Sequence, residues 1–185
     1  MSLKESFVGV SSVKKIAFVI LLFAQMSNWI AFTTADWGRQ SNSFEWNNLF
    51  TGIGLWRSCS NGADTAVVPC QMLDGTRNDL YASIQAFATF GFVGINLAFF
   101  ILLLQIFFDK CKSVSDTVNG VICFLATGCY LIAVIQFGVY FDTSFINKRF
   151  GFSFSFAIVA FILSMIAGIL FIKDNIKLDK KKPQT

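Results

Sequence analysis

The sequence predicts an all-α membrane protein with four spanning helices and one large loop between the first two. Three observations carry this. The chain is 55% hydrophobic and only 14% charged, where soluble domains hold roughly 45–50% apolar and about 25% charged residues. Four apolar stretches are long enough to cross a bilayer and hold no Asp, Glu, Lys or Arg. The lysines and arginines gather on one side of the membrane that those stretches imply.

A hydrocarbon core of about 30 Å needs roughly 20 apolar residues at 1.5 Å of rise each. The spans are read as 16–34, 80–108, 117–141 and 150–172. Lys14-Lys15 precedes the first, Asp109-Lys110 stops the second and Lys173-Asp174 stops the fourth. Backbone amides in lipid must be satisfied within the segment, so each span is a helix. The second has 29 residues, about 43 Å if straight, so it tilts or extends beyond the lipid. The first span exceeds the usual h-region of a signal peptide and is read as retained. Thr33-Thr34-Ala35 offers a small-residue cleavage site as the alternative.

An even number of spans leaves 1–15, the 109–116 loop and the 173–185 tail on one side. Ten of the 15 Lys and Arg residues lie there with five acids, for +5; five lie opposite with six acids, for −1. The excess places both termini in the cytoplasm. The formal net charge of +4 is therefore a topology signal and not a nucleic-acid footprint. The Lys180–Lys182 run can also meet anionic headgroups.

Residues 35–79 form the outer loop and 142–149 a short second one. The outer loop holds Cys59 and Cys70, the only cysteines on the oxidising side and hence a natural disulfide pair. Asn61-Gly62 and Ala66-Val67-Val68, between them, read as two short antiparallel strands joined by a loop. Such a staple is worth about 2–4 kcal/mol to a loop without a thick core of its own. Cys123 and Cys129 read as small apolar packers in the third span. Cys111, at the bilayer edge, is a candidate for S-palmitoylation, with a plain thiol as the alternative. Trp37, three residues past the first span, reads as an interfacial anchor. Trp56 reads as packing on the disulfide or at the loop–membrane boundary.

Trp37, then Gly54-Leu55-Trp56, then Cys59 and Cys70 together resemble the first extracellular loop of claudins. The same signature marks the wider group of peripheral myelin protein, epithelial membrane proteins and stargazin-like receptor subunits. Ile84-Gln85-Ala86, opening the second span, is similar to the Leu-Gln-Ala stretch of claudins. The resemblance implies a left-handed four-transmembrane-helix bundle topped by a small extracellular antiparallel β-sheet, with strands from both outer loops. It implies contacts with other copies of itself or related tetraspans, in cis and in trans, at plasma-membrane cell–cell contacts. Phe87 and Ala88 stand where claudins usually carry an Arg. The terminal Thr185 lacks the apolar side chain that a PDZ groove takes by strand addition, so docking on a PDZ scaffold is not expected.

The chain has no histidine, no Gly-rich phosphate loop and no Cys/His cluster, so neither an enzyme, a cofactor nor a metal site is expected. No ionisable residue of the kind transporters use lies inside a span. Gln25, Asn28, Gln85, Asn96, Gln105, Asn119 and Gln136 read as interhelical hydrogen-bonding groups. The 23 phenylalanines read as lipid-facing or gap-filling. The leading functional expectation is a component of cell–cell junctions that tunes paracellular passage, with Arg57, Asp64, Asp74 and Arg77 as candidate ion-selectivity charges. The alternatives are an auxiliary subunit of a channel or receptor and a membrane-organising protein of the myelin-protein type.

Overall fold

The computed structural model describes residues 10–41, 50–60, 69–73, 79–108, 115–144 and 148–179. Four helices dominate: α1 (Ser12–Thr33), α2 (Asp79–Phe107), α3 (Asp116–Ser144) and α4 (Phe152–Asp179). All four are long and apolar enough to cross a membrane. Three of them run past the apolar stretches: α1 takes in Lys14 and Lys15, α3 ends at Ser144 and α4 continues to Asp179. Hydropathy marks where lipid begins, whereas a helix ends where its terminal amides find other partners. At the start of α1, the Ser11 hydroxyl accepts from the Lys14 amide at 3.2 Å and donates to Asp174 Oδ2 at 2.8 Å. Beside it, Lys14 pairs with buried Asp116 at 2.8 Å. These contacts tie one end of α1 to α3 and α4.

Around the bundle α1 packs on α4, α4 on α3 and α3 on α2, while α1 and α2 meet more sparsely. Small residues bring the close pairs together. A Cβ on Gly91 would lie 2.4 Å from the Tyr130 ring, and one on Gly94 would lie 2.7 Å from the Ala126 methyl. The α1–α2 seam is bridged by long side chains instead: Phe18 stacks on Phe99, Phe32 on Phe92, and Gln25 donates to Asn96. Tyr130 donates to Asn28 Oδ1 at 2.6 Å in the buried interior. The outer faces expose Phe23, Met26, Phe90, Phe100 and Leu125, as expected where the solvent is lipid. Phe137, Phe141 and Phe171 are buried, so the phenylalanines serve both predicted places.

Five short strands stand at the end where α1 finishes and α2 begins: β1 (Gly38–Ser41), β2 (Phe50–Ile53), β3 (Arg57–Ser60), β4 (Cys70–Met72) and β5 (Lys148–Phe150). They form one antiparallel sheet in the order β4-β3-β2-β1-β5. The second loop thus contributes a strand against the first. The cysteines themselves stand in strands, Cys59 in β3 and Cys70 in β4. Asn61–Val68 lies outside the described residues. Direct opposition of Cys59 and Cys70 in the β3–β4 register places the pairing at the cysteines, where the covalent link already holds the chains side by side.

Candidate functional site: the collar joining sheet to bundle

The signature residues converge on a collar where the sheet stands on the helices. Cys59 and Cys70 are disulfide-bonded across β3 and β4. One turn of chain earlier, Gly54 sits so close to the end of α1 that a Cβ would lie 2.4 Å from Ala35 Cα and 2.6 Å from the Thr34 carbonyl. Only glycine fits that approach. Leu55 is fully buried. Trp56 packs edge-on against Phe32 of α1, with centroids 5.3 Å apart, which places it at the loop–bundle boundary. Its backbone carbonyl accepts from the Leu73 amide at 2.8 Å.

Two side chains of α2 lock this turn. Gln85, 7% exposed, donates to the Leu55 carbonyl at 2.7 Å and to the Leu73 carbonyl at 3.1 Å. Both protons of one amide nitrogen thereby hold the two ends of the disulfide hairpin. The Tyr81 hydroxyl, one turn earlier on the same helix face, donates to the Gly54 carbonyl. Gln85 was legible as an interhelical group in the sequence; its partner is a loop instead. Tyr81 was missed, although its four-residue spacing from Gln85 was a usable signal.

Trp37 departs from the interfacial role expected of it. Its side chain is wholly enclosed, with Nε1 donating to the Ala31 carbonyl at 2.7 Å and the ring edge-on to Phe137 and Phe154. An indole whose N–H is satisfied within the protein has no need of the headgroups. Its backbone meets two other segments: the amide donates to Ile53 of β2 and the carbonyl accepts from Gly151, just before α4.

Beside Trp37, Asp36 is 7% exposed. Its carboxylate accepts from Arg39 at 2.6 and 3.0 Å and from the Phe152 amide at 2.9 Å. Its carbonyl accepts from the Ser153 amide at 3.1 Å. The carboxylate thus caps the N-terminus of α4, where the helix dipole favours a negative charge. The hydrogen bond to Asp36, and then its charge, raise the pKa of Arg39. Neither residue carried a sequence signal, because the capped helix begins more than a hundred residues downstream.

Of the candidate selectivity charges, Arg57 is among the described residues. Arg57 donates to the Thr33 carbonyl at 3.1 Å, at the end of α1. Asp64, Asp74, Arg77 and the acylation candidate Cys111 lie outside the described residues, as do the Lys180–Lys182 run and Thr185. Cys123 is buried and Cys129 half-buried, both free thiols. Among the predicted interhelical amides, Asn119 is fully buried with neither amide atom hydrogen-bonded. Among the described residues no group of His, Cys, Asp and Glu could hold a metal ion.

The collar joins a small sheet to the apolar bundle, and apart from pairs such as Arg39–Asp36 its side-chain hydrogen bonds run to backbone groups. A model of the PMP-22/EMP/MP20/Claudin family matches residues 4–171. No curated protein sequence matches the chain.

Proposed function

The chain belongs to the PMP-22/EMP/MP20/Claudin family, and from that premise we propose that it is a structural component of cell–cell junctions, assembling through its sheet and tuning paracellular passage. The observation that carries this reading is the collar. Gln85 and Tyr81 fasten the first outer loop to the start of α2, and Asp36 fastens it to the start of α4, so the sheet is held as a fixed platform. A surface that must register against copies beside it and across from it benefits from such preorganisation, because little ordering entropy remains to be lost on contact. In this reading the protein spans the plasma membrane four times with both termini in the cytoplasm, as the lysine asymmetry directs. Lipid and other copies of the chain are its partners in this reading.

Expression in cells that lack junctional strands tests this. Strands in freeze-fracture images, enrichment at contacts and a changed electrical resistance across the layer are expected. Diffuse surface distribution with unchanged resistance would overturn it, and co-purification with a channel under those conditions would favour the auxiliary-subunit alternative.

A further inference from the structure

Along α4 the exposed and buried positions form two stripes that keep their register past the end of the apolar stretch. Ile162, Ile166, Ile169, Lys173 and Ile176 are exposed, three or four residues apart and so on one helix face. Ser164, Ala167, Phe171 and Asp174 are buried on the other. The 21 residues from Phe152 to Ile172 rise about 32 Å, the thickness of the hydrocarbon core. The helix continues to Asp179, so its last two turns stand at headgroup depth. Lys173 enters the lipid-facing stripe where the hydrocarbon ends, and Lys177 follows one turn later in the sequence of α4.

The carboxylates at this end of the bundle turn the other way. Asp174, next to Lys173 in the chain, is 5% exposed and accepts from the Ser11 hydroxyl at 2.8 Å. Asp116 is 4% exposed and paired with Lys14 at 2.8 Å. Among the described side chains these are the acids of this end. The other three in the sequence are Glu5, Asp109 and Asp179. With Lys14 set aside beside Asp116, nine lysines stand against them, so full exposure of all three acids would still leave lysine in excess.

We propose that the end of the bundle away from the sheet gathers anionic phospholipids, with headgroups of the phosphatidylserine class drawn to the lipid-facing stripe of α4 at Lys173. A lysine at the end of such a stripe lays its apolar stem along the acyl chains and sets its ammonium among the headgroups. Each lysine near the surface strengthens the attraction for anionic lipid. Asp174 lies on the opposite stripe, tied to Ser11, so it does not cancel that attraction on the face where lipid arrives. In the orientation that the lysine excess directs, this is the cytoplasmic leaflet, which carries the anionic lipid. The proposal requires only that the helices span lipid and is independent of the junctional reading.

Electron paramagnetic resonance of spin-labelled lipids tests it. The full chain is reconstituted in phosphatidylcholine vesicles doped with spin-labelled phosphatidylserine or, in a parallel sample, spin-labelled phosphatidylcholine. The ratio of the two motionally restricted fractions reads the selectivity of the protein surface. A preference for phosphatidylserine of about twofold or more is expected, falling toward parity in 1 M salt, where the Debye length shrinks to about 3 Å. Lys173→Gln should lower the preference, and Ile176→Lys, on the same stripe, should raise it. Asp174→Asn changes the net charge as much as Ile176→Lys does, but on the buried stripe and with an acceptor for Ser11 retained, so it should move the preference far less. Arg149→Gln, at the sheet end, should leave it unchanged. Parity in the wild type overturns the proposal. So does an equal response to Asp174→Asn and Ile176→Lys, which would make net charge rather than helix face the cause, or a loss with Arg149→Gln as large as that with Lys173→Gln.

Discussion

The Gln85 side-chain nitrogen stands 2.7 Å from the Leu55 carbonyl and 3.1 Å from that of Leu73, so a single amide on a membrane helix holds both ends of the disulfide hairpin. Helix and hairpin are thereby one mechanical unit.

Replacing Gln85 by Leu keeps the volume but leaves two carbonyls without their donor. Each buried unsatisfied group costs about 1–3 kcal/mol. A fall in the unfolding temperature of the detergent-purified protein, with faster protease cleavage in the first outer loop, is the expected outcome. An unchanged melting curve would mean that the collar holds without this amide.

Removing the disulfide acts on the unfolded chain more than on the folded one. Cys59→Ser with Cys70→Ser should lower stability by about 2–4 kcal/mol. The single variants should in addition leave a thiol that labels with a membrane-impermeant reagent. Labelling of the intact wild type without reduction would contradict the bond.

Gly54→Ala introduces a Cβ 2.4 Å from Ala35 Cα, a backbone atom that has little room to yield. Overpacking of this kind typically costs about 1–3 kcal/mol. Because the shift also moves the Gly54 carbonyl away from Tyr81, surface delivery of the variant should fall well below that of Gly128→Ala. A Cβ at Gly128 meets nothing within 4 Å, so that variant is the matched control, and equal delivery of the two would refute the steric argument.

Asp36→Ala removes a helix cap, worth about 1–2 kcal/mol, together with the partner of Arg39. The arginine side chain is half-exposed, so solvent screening leaves the ion pair a smaller share of the loss. Asp36→Asn, which retains an acceptor for the Phe152 amide, should recover most of the lost thermal stability. If Asn and Ala lose equally, the charge and not the cap is what matters.

Two buried asparagines should respond oppositely to the same change. Asn28 accepts from Tyr130 and donates to the Phe92 carbonyl, so Asn28→Leu should destabilise by about 1 kcal/mol. Asn119 has neither atom hydrogen-bonded, so Asn119→Leu should leave the melting temperature level or raise it. Parallel thermal scans of both variants in one detergent decide the matter.

The sequence by itself determined the number of spans, the large first loop and the cysteine pair. Each depends on quantities that lipid and redox compartment impose on a linear stretch: apolar length, absence of charge, and which side a thiol faces. Helix ends were less legible, since Lys14 and Asp116 belong to helices once they find each other. Only the tertiary structure decided that Trp37 is enclosed rather than interfacial, that Asp36 caps a helix beginning at Phe152, and that Arg57 shares a face with the disulfide. These are hydrogen bonds and registers between segments distant along the chain, and no local pattern of residues encodes which distant backbone group a side chain will meet.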